Sequence, residues 1–229
     1  ACSQSTARDI VRLLDVDPGK ITVTYEAVDD EFLPVDPEAA SALLAARYGI
    51  QRPFILFVGT LEPRKNLTAL ARAYTRLATD LPHALVLAGA PGWQWAELAA
   101  AIAQSPARDR IVLPGYVPRG DLPAFYSAAD ALAYPSRYEG FGLPVLEAMT
   151  CGCPVVTSNN SCLPEVAGDA ALLVDAADEA GLESALRTVL EDAATRAALI
   201  ERGRAQARAF SWQACAETTL GVYKGLASC

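Results

Sequence analysis

The chain has 229 residues, of which 52% are hydrophobic and 20% are charged. These proportions are those of an ordinary globular protein, and a chain of this length can bury a full core without disulfides or metals. Its formal net charge of −8 opposes non-specific binding to nucleic acid or to anionic lipid. No uncharged stretch is apolar enough to cross a bilayer. We therefore expect a globular protein that binds any anion through a few local positive groups.

The chain opens without a methionine and without a basic and then apolar leader, which indicates a piece of a longer protein. Its cysteines form no Cys-x-x-Cys pair, and the single histidine, His83, is distant from them in sequence. We predict that the cysteines are small buried packing residues in a reducing compartment. They are Cys2, Cys151, Cys153, Cys162, Cys215 and Cys229.

From residue 54 onward, short apolar runs alternate with longer helical segments. The predicted strands are 54–58, 84–88, 111–114, 131–134, 154–157 and 171–174. They are apolar on both faces, as strands buried between two helical layers are. The predicted helices between them are 67–79, 94–103, 122–128 and 144–151, with a short helical turn at 164–167. This alternation predicts an α/β fold with a doubly wound, parallel, six-stranded, Rossmann-like sheet.

The segments that flank this alternation have a different pattern. Before it lie a predicted helix at 5–14, a predicted strand at 20–25 and a proline-containing stretch with one helix at 37–48. After it come helices at 178–190 and 195–210, and a last helix that begins at Ser211 as its N-cap. A lone helix and strand cannot form a core. We therefore interpret residues 1–34 as the end of a preceding domain.

The first candidate binding loop, residues 59–66, follows the first strand of the sheet, and ligands of open parallel sheets bind beyond the carboxyl ends of strands. Arg64 and Lys65 bring two positive charges to it. Asn66 can cap the next helix and so leave main-chain N–H groups in the loop. A guanidinium, an ammonium and backbone donors together suit a diphosphate. The alternative is a solvated Arg-Lys pair beside a turn, and in either case we expect Lys65 to be exposed.

The second candidate loop lies within residues 136–147. Pro144 fits a first helical turn, so residues 140–143 are predicted to form a loop that presents N–H groups to a ligand. Phosphate would repel Glu139 and Glu147, and we expect these carboxylates to bind the hydroxyls of a sugar or a ribose instead. The alternatives are an exposed loop acid at Glu139 and an acid placed favourably near a helix N-terminus at Glu147.

These features together resemble the family-four glycosyltransferases over roughly residues 5–210. The resemblance is carried by the 59–66 loop, by Gly115-Tyr116-Val117-Pro118, by Glu139 and Glu147 with seven residues between them, and by residues 154–158 and 164–166. It implies a GT-B architecture, in which two Rossmann-like lobes face each other across a cleft. The chain then supplies the C-terminal, donor-binding lobe at 53–210. Residues 1–34 end the acceptor-binding lobe, 35–52 connect the lobes, and 211–229 form a helix that crosses back.

The resemblance also implies roles for individual residues. Arg64 and Lys65 match residues that bind the donor diphosphate, Glu139 matches one that contacts the transferred sugar, and Glu147 matches one that holds the ribose. Arg64, Lys65 and Glu139 are the implied catalytic residues. The implied donor-binding residues are Gly59, Thr60, Arg64, Lys65, Tyr116, Val117, Glu139, Gly140, Phe141, Gly142, Leu143 and Glu147. The chain departs from many members at Thr60, where they have arginine.

The implied function is a retaining, metal-independent transfer of a hexose from a nucleotide diphosphate sugar to a glycan or lipid-linked acceptor. No cofactor and no metal are expected, because Arg64 and Lys65 stabilise the leaving diphosphate. The Gly-Thr form of the first loop is frequent in bacterial mannosyl and rhamnosyl transferases, which favours GDP-mannose. We expect the preceding lobe to bind the acceptor and to make any peripheral membrane contact. We also expect a cytoplasmic location, at the inner face of the membrane, and no transfer by this chain alone.

Several other functions remain as alternatives. A nucleotide-sugar epimerase or a phosphorylase of the same fold would not be expected to combine the Glu139 and Glu147 spacing with the Arg-Lys pair. A non-catalytic nucleotide-binding domain is the third alternative. Asp15 and Asp17 fit a metal-binding Asp-x-Asp pattern, but the Pro-Gly that follows indicates a turn. A dehydrogenase is disfavoured because no Gly-x-Gly-x-x-Gly follows the first strand, and His83, at a strand entry, is expected to be structural.

Overall fold

The computed structural model describes residues 1–227. The strands are β1 (Phe54–Val58), β2 (Ala84–Ala88), β3 (Ile111–Gly115), β4 (Ala131–Tyr134), β5 (Val155–Ser158) and β6 (Ala171–Val174). The helices are α1 (Gln4–Leu14), α2 (Pro37–Tyr48), α3 (Leu67–Leu77), α4 (Trp95–Gln104), α5 (Leu122–Ala128), α6 (Leu143–Thr150), α7 (Leu163–Ala167), α8 (Glu179–Glu191), α9 (Ala193–Ala207) and α10 (Trp212–Ala227).

The strands form one parallel sheet in the order β3-β2-β1-β4-β5-β6. In its centre, Ile55 of β1 lies opposite Leu85 of β2 on one side and opposite Ala131 of β4 on the other. The chain winds outward from β1 to β3 and then returns to β4 beside β1. The strand order therefore reverses between β1 and β4, which is where ligands of such sheets bind. The predicted doubly wound six-stranded sheet is confirmed.

The core surrounds this central part of the sheet. Every residue of β1, β4 and β5 is buried, as expected for strands covered by helices on both faces. Around the sheet, α3 packs against α4 and α8, and α6 packs against α5 and α9. The strand bounds agree with the predicted ones to within one residue at each end, and α2 and α5 have the predicted bounds.

The strand predicted at residues 20–25 is wrong. A 3-10 turn at Pro18–Lys20 ends there, and the chain runs on extended but in no sheet. Two hydrogen bonds join this stretch to the first residue: the Ala1 ammonium donates to Thr22 O at 2.8 Å, and Thr24 N donates to Ala1 O at 2.8 Å. The alternating pattern is present, but a strand needs a neighbouring ladder, and none of the described residues supplies one.

Residues 1–34 lie against the sheet domain. The Tyr25 hydroxyl donates to Glu165 Oε1 at 2.7 Å, and its ring packs near those of Phe141 and Phe210, with centroids 6.2 and 5.6 Å away. At the other end, α10 begins after Ser211, whose hydroxyl oxygen accepts the N–H of Ala214 at 3.1 Å, so the predicted N-cap is confirmed. The assignment of both segments to a neighbouring lobe stays a prediction.

Asp15, Asp17 and His83 all lie outside the two candidate binding loops. Asp15 ends α1 with a left-handed backbone, and Asp17 accepts the N–H of Gly19 at 2.9 Å, so the turn interpretation is confirmed. His83 immediately precedes β2, so it lies at the amino end of that strand, whereas the candidate loops follow the carboxyl ends of strands. Its Nε2 lies 3.9 Å from Asp130. Among residues 1–227, no three or more His, Cys, Asp or Glu side chains are grouped to hold a metal.

The cysteines largely follow the prediction. Cys151, Cys153 and Cys162 are buried free thiols, whereas Cys2 and Cys215 are half-buried. Burial raises the pKa of Cys151 and of Cys162 to about 12, so both stay protonated at neutral pH. Cys229 lies outside the described residues.

In the described part of the chain, no helix combines the length and the hydropathy needed to span a bilayer.

Candidate functional site

The two candidate loops lie side by side at the strand-order reversal. The 59–66 loop follows β1 and the second loop follows β4, and these two strands are neighbours in the sheet. The main-chain N–H of Arg137 donates to the carbonyl of Arg64 at 2.7 Å and ties the loops together directly. The topology thus brings together groups that are far apart in sequence.

The first loop is fixed by a close approach to the loop after β2. Gly59 N donates to Ala88 O at 2.9 Å, with Gly59 at φ +142°, a conformation that favours glycine. A Cβ added to Gly89 would lie 1.9 Å from Gly59 O, so only glycine fits at Gly89. Thr60 is exposed. Its Cγ2 would lie 2.8 Å from a Cβ added to Gly92, so Thr60 lies close to the loop after β2.

The prediction that the Asn66 side chain caps α3 is wrong. Asn66 occupies the N-cap position with a left-handed backbone, φ 60°, and its side chain makes no capping hydrogen bond. Its amide instead donates to Ala176 O at 2.7 Å and accepts from Arg137 Nε at 3.2 Å. Asn66 therefore connects the two candidate loops to the segment after β6, because its backbone turns the side chain away from the first turn of α3.

An ion cluster occupies the centre of the site. Glu139 Oε1 lies 2.6 Å from Lys65 Nζ, and Glu139 Oε2 lies 2.7 Å from Arg64 Nη1. Lys65 Nζ also donates to the Tyr134 hydroxyl at 2.6 Å and lies 4.9 Å from the centre of that ring. The predicted meeting of the two cations with Glu139 is present, and it joins the ends of β1 and β4.

The expectation that Lys65 is exposed is wrong, and so is the alternative of an exposed acid at Glu139. Lys65 is 5% exposed and Glu139 is 6% exposed. The 3-10 turn Pro63–Lys65 brings the lysine side chain to the Tyr134 hydroxyl at the end of β4. Each of these buried charges stabilises the other, because a buried charge without a partner is strongly unfavourable.

The charges of this cluster shift one another's protonation. Burial favours the neutral form of Glu139, but the charge of Lys65 and its hydrogen bond outweigh it and hold the pKa of that carboxyl below its usual value. Burial lowers the pKa of Lys65, although Glu139 opposes this shift. Burial raises the pKa of Tyr134 well above its usual value, so its hydroxyl is neutral. The site therefore holds an ionised carboxylate at neutral pH.

Arg64 forms the exposed edge of the cluster. Its side chain is 44% exposed, and its Nε lies 2.6 Å from Glu62 Oε1. The other carboxylate oxygen of Glu62 accepts from Trp93 Nε1 at 3.2 Å. Arg64 Nη1 additionally donates to Tyr138 O at 3.1 Å. Within residues 1–227, the second terminal nitrogen, Nη2, has no hydrogen-bond partner, so the guanidinium keeps donors that face outward.

Within residues 1–227, Glu147 makes no hydrogen bond or ion pair to this cluster. It is 6% exposed, and its carboxylate accepts the Tyr126 hydroxyl at 2.7 Å. Burial raises the pKa of Glu147, against the hydrogen bond from Tyr126 and the charge of Arg119. Arg119 follows the 115–118 loop directly, in which Tyr116 is 75% exposed and Val117 is buried. Arg119 is itself ion-paired with Asp29 and Glu31. Among residues 1–227, no hydrogen bond or ion pair joins the 115–118 loop to Arg64, Lys65 or Glu139.

The 140–143 segment forms the predicted loop before α6. Gly142 has φ +97°, and a Cβ there would lie 3.0 Å from a Leu163 methyl carbon, so glycine is required. Phe141 is buried, with its ring 5.7 Å from that of Phe210. Gly140 is half-buried, and Leu143 begins α6. This loop therefore connects Glu139 directly to the start of α6.

Several residues of the site are missing from the sequence prediction. Tyr134 is a hydroxyl at the end of an otherwise apolar strand, a position that could have marked it. Glu62 lies in the same predicted loop as Arg64, and its position after β1 could have marked it as a site residue in the same way. Ser161 accepts the N–H of Glu139 at 3.2 Å, and the Cys162 thiol donates to the carbonyls of Glu139 and Phe141 at 3.2 and 3.0 Å. No local pattern indicates these last two.

Comparison with known proteins identifies the family of the chain. The glycosyl transferases group 1 family matches residues 46–206, more than half of the chain. The chain is 38% identical, over 224 residues, to the O-antigen chain mannosyltransferase B of Escherichia coli; the match covers 97% of this chain and 59% of that protein.

Two solved structures superpose on the whole chain. The sucrose-phosphate synthase of Thermosynechococcus elongatus matches with a TM-score of 0.86 and 26% identity, and 58% of its chain is covered. The Anabaena protein HepE, in complex with UDP-glucose, matches with a TM-score of 0.85 and 23% identity, and 63% of its chain is covered. The chain thus spans less than two thirds of each of these three proteins. It belongs to the group 1 glycosyl transferases and forms one Rossmann-like lobe of the GT-B type.

Proposed function

We propose that this chain is the donor-binding lobe of a retaining, metal-independent glycosyltransferase that moves a hexose from a nucleotide diphosphate sugar. The observation that carries the proposal is the cluster of Arg64, Lys65 and Glu139 at the strand-order reversal. It combines two cations that suit a diphosphate with a carboxylate that suits sugar hydroxyls.

The cluster has unused donors for a diphosphate. Arg64 Nη2 has no partner among the residues described here, and the Lys65 ammonium uses two of its three protons, on Tyr134 and Glu139. Glu139 and Glu62 neutralise the two cations while no donor is bound. We infer that the diphosphate takes the outward donors of Arg64 and that Lys65 stays between the phosphate and Glu139.

The proposed transfer step follows from this arrangement. The bond between C1 of the sugar and the β-phosphate oxygen breaks, and its electron pair stays on that oxygen. A new bond forms between C1 and an acceptor hydroxyl oxygen on the same face, and the hydroxyl proton passes to the leaving phosphate. Arg64 and Lys65 stabilise the charge that develops on the diphosphate, and Glu139 orients the sugar. The role of a metal in charge neutralisation would thus be filled by these two side chains.

The rest of the nucleotide lies toward Glu147 in this proposal. A buried carboxylate with one neighbouring hydroxyl, from Tyr126, can accept hydrogen bonds from the two adjacent hydroxyls of a ribose. The exposed ring of Tyr116 and the 115–118 loop then border the base. The mannosyltransferase among the relatives supports mannose as the transferred sugar, and GDP as its carrier rests on the resemblance of the first loop alone. The HepE complex supports a nucleotide sugar in general.

The acceptor belongs to a second lobe in this proposal, because the chain spans only part of its relatives. A glycan or lipid-linked acceptor would bind there, at the cytoplasmic face of a membrane, and the present chain would bind donor without transferring its sugar.

Binding of the donor by the 229-residue chain tests the proposal. We expect GDP-mannose or UDP-glucose to bind in the presence of EDTA, measured by titration calorimetry, and Lys65→Met to abolish the binding. Lys20→Met, the same change at an exposed residue, is the matched control and should bind as the unchanged chain does. Absence of binding by the unchanged chain would contradict the proposal, and binding that requires a divalent cation would contradict metal independence.

The stereochemistry and the alternatives need the complete enzyme. An α-linked donor sugar should give an α-linked product, read from the anomeric proton coupling in the NMR spectrum. A nucleotide-sugar epimerase would instead change the donor without any acceptor, so incubation with donor alone should leave the sugar configuration intact.

A further inference from the structure

Side chains from the first residues of the chain converge on one carbonyl of the second loop. The Ser3 hydroxyl lies 2.8 Å from Gly140 O, the Thr6 hydroxyl lies 3.1 Å from it, and the Cys2 thiol lies 3.2 Å from it. Ser3 is fully buried. A carbonyl oxygen has two lone pairs, so the two hydroxyls saturate it and the thiol adds a weak third donor.

This contact fixes the direction of a peptide group in the loop. The carbonyl of Gly140 and the N–H of Phe141 belong to one planar trans peptide and point in opposite directions. With the carbonyl turned to α1, the N–H of Phe141 is turned away from α1. No carbonyl or side chain in residues 1–227 accepts the N–H of Phe141 or of Gly142. Both N–H groups are therefore left without a partner in the described part of the chain.

The start of α1 is itself held in place. Glu165 accepts the main-chain N–H of Gln4 at 2.7 Å and of Ser5 at 3.2 Å. The Ser3 hydroxyl oxygen accepts the N–H of Thr6 at 3.0 Å as the N-cap of the helix. The first turn of α1, which carries the two hydroxyls that bind Gly140, is therefore itself held in place by hydrogen bonds.

We propose that Ser3 and Thr6 are positioning residues for the donor sugar. They hold the Gly140 carbonyl away from the site, so that the loop presents N–H donors and no carbonyl oxygen to the sugar and the β-phosphate. A carbonyl turned toward the donor would repel the phosphate oxygens. The inference rests on the proposed function, and it gives the segment before the sheet a direct part in donor binding.

Thr6→Val is the most informative variant. It removes one hydroxyl and keeps the branched shape of the side chain, whereas a change at Ser3 would also remove the cap of α1. Thr188→Val on α8 is the matched control, because Thr188 is exposed and its hydroxyl only bonds Ser184 O within its own helix, at 2.9 Å. Thr6→Ser restores a hydroxyl and should restore the behaviour of the unchanged chain.

The first readout compares two ligands. Guanosine monophosphate reaches the base loop and Glu147 but has neither the β-phosphate nor the sugar of GDP-mannose. We expect Thr6→Val to weaken GDP-mannose binding about five- to tenfold and to change monophosphate binding by less than about twofold. Equal losses for both ligands, or no loss for either, would overturn the inference. If the unchanged chain binds neither ligand, the proposed function fails.

The second readout does not depend on any ligand. The amide resonances of Phe141 and Gly142 in the ligand-free chain should shift in Thr6→Val, stay in place in Thr188→Val and return in Thr6→Ser. Unshifted amide signals in Thr6→Val would show that the hydroxyl does not orient the loop, and this would overturn the inference whatever the donor proves to be.

Discussion

Lys65 Nζ and Glu139 Oε1 lie 2.6 Å apart, and both side chains are more than nine-tenths enclosed. This pair joins the loop after β1 to the loop after β4 across the strand-order reversal. Because both charges are buried, removal of one leaves the other without full compensation. The same contact therefore contributes to the fold and to the candidate donor site.

Lys65→Ala should lower both stability and donor binding. Glu139 then keeps only Arg64, and we expect the free energy of unfolding to fall by about 3 kcal/mol, near the lower end for a broken buried ion pair. Urea denaturation followed by circular dichroism measures this loss. Lys20→Ala, at an exposed turn, should change it by less than about 0.5 kcal/mol. Similar small losses for the two variants would show that the buried pair is not stabilising.

Arg64→Ala should affect binding much more than stability. Its guanidinium is 44% exposed, and Lys65 remains to pair with Glu139. We expect nucleoside diphosphate affinity to fall about tenfold or more, and the free energy of unfolding to change by less than about 1 kcal/mol. Arg72→Ala, which removes an exposed ion pair of α3, is the control and should leave the affinity unchanged. An equal loss of affinity in the control would argue for a general charge effect.

Glu147→Gln should make the protein more stable at neutral pH. The folded pKa of Glu147 is raised by burial, so its contribution to stability is present below the unfolded value of about 4.3 and is lost as pH rises through the folded value. Glutamine does not ionise and can still accept the Tyr126 hydroxyl. The advantage of the variant over the unchanged chain should grow between pH 4 and pH 7, by on the order of 1 kcal/mol. An advantage that is independent of pH would contradict this account.

The same variant should also bind nucleoside diphosphate more weakly, because a neutral amide oxygen is a poorer acceptor for ribose hydroxyls than a carboxylate. A gain in stability with a loss of binding would identify Glu147 as an acid retained for function. Unchanged binding would remove it from the proposed donor site.

Gly89→Ala should displace the first loop. The added Cβ would lie 1.9 Å from Gly59 O, so the backbone must move, and we expect a loss of about 1–3 kcal/mol. Gly221→Ala in α10 is the matched control, since nothing lies within 4 Å of the added atom and alanine favours a helix. Thermal melting of both variants checks this prediction. Equal melting temperatures would show that the two loops are not in such close contact.

The sequence predicts the sheet well, because period, length and composition all act locally in buried parallel strands. The runs at 54–58 and 131–134 are apolar on both faces and have the bounds of β1 and β4. Because the carboxyl ends of parallel strands meet at one edge of the sheet, the polar groups of both loops are predicted to lie at that edge. Contact between them depends on the strand order, which brings β1 and β4 together although more than 70 residues separate them.

The errors concern interactions made over long distances in sequence. The burial of Lys65 depends on Tyr134, the last residue of β4, and on Glu139, which follows that strand. An Arg-Lys pair in a loop carries no sign of that enclosure. The side chain of Asn66 bonds Ala176 and Arg137 instead of its own helix. The segment 20–25 has the pattern of a strand but no neighbour to pair with. In each case the partner, rather than the local pattern, decides the outcome.

A crystal structure of the 229-residue chain with a bound nucleoside diphosphate tests the central claim most directly. We predict that phosphate oxygens lie within hydrogen-bond distance of Arg64 and of Lys65 Nζ, with the ribose hydroxyls on Glu147. A diphosphate bound elsewhere on the chain, or one bound at this edge of the sheet without contact to either cation, would contradict the account.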